Sequence, residues 1–414
     1  MFFILYQFII SILLIFSPFI IIYRIIKNKE DKFRFKEKFC FFSKKKNYGK
    51  LIWFHGSSVG EIMSILPIIQ KFEKRKSINK ILITSSTLSS SKILDNFRFK
   101  KVIHQFYPID HFFFSNKFLN HWRPSVAIFL ESEIWPSMFK TLKDKDIPLI
   151  LLNARITPKT FFRWKKLRNF SNSIFNKINI AFPQNNDTKN YLKKFNVKNI
   201  DLIGNLKFIE NKLLNNKKNQ KKLFSKLKKY KMLIAASTHN TEEVFIAKAH
   251  LILKKKYKKF LTVIIPRHIH RVKKILDQLE ELNLNVVIHS SNSKNLKNID
   301  IYLVDTFGEN RYFYQLATTV FLGGSIIKHG GQNPLEPARF GAKILHGPHI
   351  GNFKEVYNYL EKLKISQKIK IPAQFTKQVT FKKNMRKVSK INYLGKMIFN
   401  KIIKKLDKYI YNEI

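Results

Sequence analysis

The apolar positions of this chain change rhythm along its length. Residues Met1 to Tyr23 form one charge-free stretch of mostly Phe, Ile and Leu, followed by a segment dense in Lys and Arg from Arg24 to Lys50. Beyond it, short apolar runs alternate with longer amphipathic stretches. Leu51–His55, Ile81–Ser85, Val126–Leu130, Leu149–Asn153, Ile180–Pro183 and Asp201–Ile203 predict strands, with helices between most of them. A segment rich in Lys and Asn, Glu210 to Lys231, interrupts the alternation and reads as a linker with at most one helix. The pattern restarts with Met232–Ala236, Leu261–Ile265, Val286–His289, Ile301–Val304, Thr319–Leu322 and Lys343–His346. Runs that are apolar throughout are those of parallel strands buried on both faces. Two tandem βαβ domains of α/β class, with right-handed crossovers, are the simplest account. In such sheets ligands bind beyond the carboxyl ends of the strands, so the loops after the apolar runs are where chemistry is expected. The tail, Asn384 to Ile414, reads as a basic helix.

The first stretch is long enough to cross a hydrocarbon core of ~30 Å at roughly 1.5 Å per residue. A single membrane anchor is expected, with a half-inserted monotopic helix as the alternative. A cleaved signal peptide fits less well, because a basic start and a small-residue cleavage site are both missing. The basic segment that follows predicts a cytoplasmic location for the remainder.

Composition adds bounds. A length of 414 residues with 45% hydrophobic content accommodates two domains with real cores. The net charge of +51 suggests an anionic partner, nucleic acid or an acidic lipid surface. The lysines are spread over the whole length alongside abundant Ile, Asn and Phe, a bias that A/T-rich codons produce without selection for binding. Attraction to anionic membrane lipid survives that discount. Cys40 is the one cysteine, which excludes an intramolecular disulfide and any multi-cysteine metal site.

Three constellations follow apolar runs. HGSSVGE, His55 to Glu61, places Glu61 in the first turn of a helix, where the dipole favours the carboxylate and a hydroxyl proton has an acceptor. Ser58 to Glu61 also spells a capping box, so a structural role explains the same residues. ESEIWP, Glu131 to Pro136, sets Glu131 and Glu133 at a strand end; they either carry chemistry or pair with a cation such as Arg155 of the NAR run, which alternatively binds an anionic substrate. In the second half, Ser237 to Glu243 (STHNTEE), Pro266 to His268 (PRH) and Asp305 to Glu309 (DTFGE) offer hydroxyl, cationic and backbone groups to a nucleotide. Arg267 suits a phosphate through its planar fork. Finally, Gly323 to Glu336, GGSIIKHGGQNPLE, brings two glycine pairs before a helix start that suits a nucleotide phosphate. Asn333, Pro334 and Glu336 are equally the N-cap, N1 and N3 of an ordinary helix. No HExxH, Walker A or GxSxG motif occurs, and the histidines lack metal-ligand spacing, which argues against a zinc hydrolase or P-loop enzyme.

In this order, HGSSVGE, ESEIWP, NAR, GNLKF, STHNTEE, PRH, DTFGE, GGQNPLEP and HGPHIGNF resemble the 3-deoxy-D-manno-octulosonic acid (Kdo) transferases of Gram-negative bacteria, over about Leu51 to Phe353 plus the amino-terminal anchor. The resemblance implies a glycosyltransferase-B fold: two Rossmann-like domains facing a central cleft. The implied ranges are 1–24 for the anchor, 25–209 for an acceptor-binding domain, 210–231 for a linker, 232–383 for a CMP-Kdo-binding domain and 384–414 for the basic helix. It further implies inverting transfer of Kdo from CMP-Kdo to a lipid A precursor at the cytoplasmic face of the inner membrane, with no cofactor or metal and no nucleic acid partner. Glu61 matches the family's catalytic base, with Ser58, Glu131, Glu133 and Arg155 on the acceptor side. Donor contacts are implied for Ser237, Thr238, His239, Pro266, Arg267, Phe307, Gly308, Glu309, Gly330, Gly331, Asn333 and Glu336. The sequence departs from the family at Gln332 (usually His), Phe307 (commonly Met), and Ile269 and His270 (usually Pro and Glu), all near the expected donor. The rival readings are a related enzyme using a UDP-sugar on a lipid or peptidoglycan precursor and a membrane-tethered nucleic-acid-binding protein.

Overall fold

Apolar runs with no polar alternation cannot leave a face to water, and most of them become strands of two parallel sheets. The computed structural model describes residues 2–45, 49–211, 221–291 and 296–411. Two units partition the chain: Met1–Asn215 together with Gly395–Ile414, and Asn216–Leu394.

In the first unit, among the described residues, β1 (Leu51–His55), β2 (Lys80–Ser85), β3 (Val102–Phe106), β4 (Val126–Leu130), β5 (Leu149–Ala154) and β6 (Ile180–Pro183) form one sheet in the order β3-β2-β1-β4-β5-β6. Every pairing in it is parallel. This is the doubly wound order, in which the crossovers reverse direction between β1 and β4. The register sets His55 beside Phe129, so the loops after β1 and β4 emerge side by side. Trp53 anchors the core beneath, with ring centroids 4.8 Å from Phe118 and 5.0 Å from Phe129.

In the second unit, β7 (Lys231–Thr238), β8 (Phe260–Pro266), β9 (Val286–Ile288), β10 (Ile301–Leu303), β11 (Thr319–Leu322), β12 (Lys343–His346) and β13 (Ser366–Lys368) form a parallel sheet in the order β13-β12-β11-β7-β8-β10-β9. Its direction of crossover reverses between β7 and β11, which brings the STHNTEE and GGS loops together.

Some expectations change. Asp201–Ile203 is not a strand: the chain makes one bridge, Ala181 to Ile200, and then turns away at Gly204, whose φ is +114°. Two strands escaped the periodicity, VIHQF at β3 and SQK at β13, because polar residues interrupt both. Within the expected linker, Lys221–Leu227 is helical and residues 212–220 lie outside the described set. The N-terminal segment is a helix, Phe2–Ile26, long and apolar enough to cross a membrane by length and composition.

The C-terminal helix, Met385–Ile410, runs through the division between the units. Its later turns are fastened to the first unit. Arg75 grips Asp407 with both guanidinium nitrogens, Lys50 Nζ donates to the carbonyl of Ile410 at 2.7 Å, and Lys405 lies 2.8 Å from Asp201. The closest approach is at Gly395, where a Cβ would stand 2.1 Å from the carbonyl oxygen of Phe208. Alanine normally favours a helix interior over glycine by about 1 kcal/mol. Here the backbone clash outweighs that gain, and Gly395→Ala is expected to destabilise by about 1–3 kcal/mol. Thermal unfolding of the variant checks it: the melting temperature falls, whereas an unchanged or raised value would show that the helix seat yields.

Candidate active site

Helix Val59–Glu73 begins where β1 ends, and its first turn decides the geometry. Ser58 is the N-cap, its Oγ accepting from the Glu61 amide at 3.3 Å. The Glu61 side chain folds back over the turn: Oε2 accepts from the Ser57 amide at 2.7 Å and Oε1 from the Ser58 hydroxyl at 2.8 Å. Gly56 leaves the room for this. A Cβ there would lie 2.8 Å from Leu130 Cδ1 and 3.3 Å from Glu61 Oε2.

The β4 loop supplies two further carboxylates. Glu133 Oε2 lies 3.1 Å from Nε2 of the buried His55 and accepts from Trp135 Nε1 at 2.9 Å. The other His55 nitrogen is 2.9 Å from Thr84 Oγ1, and the imidazole stacks on Tyr107 at 3.9 Å. Burial opposes the charge of Glu133, but hydrogen bonds from His55, Ser57 and Trp135, with the charge of His55, outweigh it and hold the carboxyl below its usual range. Glu131 has φ +49°, is buried, and lies 3.4 Å from Lys207 Nζ and from Asn153 Nδ2. Lys207, from the GNLKF run, supplies a cation to Glu131. Arg155 is tied to the same loop through its backbone: its amide donates to the Glu131 carbonyl at 3.1 Å, and its carbonyl accepts from Ser132 Oγ at 2.6 Å.

Burial, reinforced by the charges of Glu133 and Glu131 and opposed by the bonds from Ser58 and Ser57, pushes Glu61 up to about 7. A helix start alone would keep it acidic. Burial, with the carboxylate neighbours adding to it, therefore reverses the sequence-based expectation of a firmly ionised group. A carboxyl poised near neutrality is suited to take a proton from a hydroxyl at physiological pH.

In the second unit, Ser237, the penultimate residue of β7, has φ +55° at a register shift, much as Asn153, penultimate in β5, has φ +56°. Left-handed non-glycine residues cost strain, and both sit at the carboxyl ends of their strands. Ser237 Oγ lies 3.2 Å from Asn310 Nδ2, which ties the DTFGE loop to STHNTEE. The Arg267 amide donates to the Thr238 carbonyl at 3.0 Å and places the PRH loop beside them. Thr238 Oγ1 and His239 Nε2 are buried without a hydrogen-bond partner. Burial, then the positive groups of His329, His268, Arg267 and Arg271, pushes His239 down to about 4, so it is neutral at pH 7. Its ring lies 4.3 Å from His329 and 5.8 Å from His268. Glu336 stands 3.8 Å from Arg311, and Asn333 Oδ1 accepts from the Leu335 amide at 3.1 Å. Glu309 pairs with His289 at 3.0 Å, and Phe307 is 78% exposed.

The glycine-rich segment is bonded and packed closely against its own chain. The amides of Gly324, Ser325 and Ile326 all donate to the carboxylate of Glu242, at 2.7, 3.0 and 2.9 Å, and the His239 amide adds a fourth bond at 3.0 Å. That anion site is filled by the protein's own side chain. A Cβ at Gly323 would meet the Ser237 carbonyl at 2.3 Å, and one at Gly330 would meet the Asn352 amide at 2.5 Å. The Gly331 amide bonds to the Gly324 carbonyl at 2.7 Å. The helix that follows, Leu335–Arg339, starts later than the sequence spacing suggests, with Pro334 as N-cap. These glycines allow the chain to pack closely on itself. Sequence reasoning also missed His55, Lys207, Glu242 and His329 as site-builders, although each lies inside a motif it singled out; Asn310 gave no signal beyond proximity to one.

Comparison with known proteins gives three results. Residues 33–210 match the family described as 3-Deoxy-D-manno-octulosonic-acid transferase (kdotransferase). A 3-deoxy-D-manno-octulosonic acid transferase of Rickettsia bellii is 37% identical over 350 residues, covering 84% of this chain and 82% of that protein. One of Haemophilus influenzae is 30% identical over 315 residues, covering 75% and 73%. Among solved structures, a UDP-N-acetylglucosamine 2-epimerase superposes with a TM-score of 0.59 at 13% identity, over 90% of this chain and 98% of that one. This last likeness concerns fold alone: two Rossmann-like units of glycosyltransferase-B type.

A carboxyl raised on folding stabilises the protein below its unfolded value of 4.5, and that contribution is lost as pH climbs through about 7. Glu61→Gln removes the titration. The variant is therefore expected to be more stable than the wild type above neutrality, by on the order of 1 kcal/mol, with the gap closing in acid. Melting temperatures of both proteins across the pH range test this; a gap independent of pH contradicts the environment described for Glu61.

Proposed function

The chain belongs to the Kdo transferase family of glycosyltransferases, and on that premise we propose that it transfers Kdo from CMP-Kdo to a lipid A precursor with inversion at the anomeric carbon. The observation that carries the proposal is the Glu61 carboxyl, held by Ser57 and Ser58 beside two further carboxylates and raised to about 7. In the proposed reaction a sugar hydroxyl of the acceptor gives its proton to Glu61. Its oxygen forms the new bond to the anomeric carbon of Kdo as the bond from that carbon to the phosphate oxygen breaks. CMP departs with the electron pair. The Glu131 and Glu133 carboxylates favour the positive charge that gathers on the sugar in such a transition state. Ser58 and Arg155 complete the acceptor side.

The second unit is assigned the donor. Arg267 is exposed and is the natural partner for the leaving phosphate. The unpartnered Thr238 hydroxyl and His239 Nε2, with Ser237, offer polar contacts whose bonds are missing in the protein alone. Asn333 and Glu336 are assigned to the nucleotide, the latter to its ribose hydroxyls. The reading calls for no cofactor beyond the donor, and for work at the cytoplasmic face of the inner membrane.

Glu61→Gln is expected to lower Kdo transfer by about 10²–10⁴-fold while CMP affinity is retained. The mass of the product formed from CMP-Kdo and a lipid A precursor reads the first; calorimetric titration with CMP reads the second. Turnover near the wild-type rate would reduce Glu61 to a helix cap. Arg267→Ala is expected to weaken CMP binding by about tenfold or more, the loss of a charge-assisted hydrogen bond. Stabilisation by UDP and none by CMP would reject the donor assignment.

A further inference from the structure

The N-terminal helix is attached to the first unit in a manner that a freely spanning helix would not allow. Along Phe2–Ile26 the covered positions recur at helical spacing: Phe3, Gln7, Ser11, Ser17 and Ile21 are half-buried or buried. The first three turns are stitched to the unit by polar bonds. Tyr6 OH donates to the buried Asp110 Oδ2 at 2.7 Å, alongside the Ser137 and Met138 amides. Gln7 is bonded at both ends, its Nε2 donating to Ser137 Oγ at 2.6 Å and its Oε1 accepting from the Phe112 amide at 3.0 Å. Ser11 Oγ lies 3.3 Å from His111 Nε2. Phe3 and Tyr6 pack against the core cluster that contains Trp53 and Phe129, with Tyr6 6.1 Å from Phe170.

The opposite face is apolar and open. Phe8, Ile15, Phe19 and Ile26 are 61%, 71%, 72% and 70% exposed, and Phe113 adds 59% beside the stitched end. Exposed Lys27, Lys29 and Lys32 follow directly at the other end. A helix crossing the bilayer would carry Tyr6, Gln7, Ser11 and the Asp110, Ser137 and His111 groups bonded to them into hydrocarbon, where uncompensated polar groups are expensive. A helix lying on its side keeps that stripe in protein, gives only the apolar face to lipid and sets the lysines at the headgroups.

We propose that Phe2–Ile26 is an in-plane anchor: fixed along one stripe to the first unit, it inserts its outer face into one leaflet of an anionic bilayer and does not span it. Both ends then lie on the side of the first unit. The inference is independent of the reaction proposed above, and its test reads labelling, not turnover. Phe2→Cys and Lys27→Cys are made separately in the full chain, with Cys40, 1% exposed, as the unlabelled internal reference. Each is bound to preformed vesicles of phosphatidylethanolamine and phosphatidylglycerol and treated with a membrane-impermeant maleimide before and after detergent opens them. The expected result is equal labelling of both cysteines in sealed vesicles, with no gain on opening. A cysteine at position 2 that stays protected until the vesicles open, while that at 27 reacts, would establish a spanning helix and overturn the proposal. Failure to float with the vesicles, with the apolar faces joined in a dimer of the chain, would overturn it equally.

Discussion

The site depends on one constraint, the parallel pairing of β1 with β4. Because crossovers leave in opposite directions on either side of that pair, no helix covers the ends of the two strands, and the loops that follow them share one space. Register then fixes which residues meet there. His55 ends β1 next to Phe129, and Glu133 lies three residues after Leu130 within reach of it. The second unit repeats the device at β7 and β11, where the neighbouring loop ends are locked by Glu242 rather than left as an open anion cradle.

Capping and the catalytic role proposed for Glu61 are compatible. The bonds that close the helix start also fix the carboxylate, and the space they need is reserved by Gly56. Electrostatics then separates three neighbouring carboxyls into different roles. Glu133 is kept ionised by His55 and Trp135, Glu131 is matched by Lys207, and Glu61, half-buried beside both charges with no cation of its own in its hydrogen bonds, is left near neutrality. Groups whose surroundings push their acidities apart in this way divide the labour of proton transfer.

Much of the fold was legible in the chain because buried parallel strands are apolar throughout: β1, β4, β11 and β12 begin and end where the runs do. The losses were equally physical. His104 and Gln105 disguise β3, and the polar SQK strand at the sheet edge has no apolar signal at all. For the site, the motif positions were visible but their internal bonding was not. Sequence spacing could show that Glu61 follows Ser58 by three, and could not show that Glu131 and Glu133 raise it, since that coupling crosses from one loop to another. Likewise the glycine pairs announced close approach without revealing that the approaching group is the chain itself.

The central claim is that Glu61 is poised near neutrality by burial and by the carboxylates after β4. Carbon-13 NMR titration of side-chain carboxyls, with Glu61 assigned by its loss in Glu61→Gln, measures this in the wild type and in Glu133→Gln. The account predicts a Glu61 midpoint of about 7 that falls towards the usual carboxyl range when the Glu133 charge is removed. A midpoint already in the usual range in the wild type, unmoved by Glu133→Gln, would contradict it.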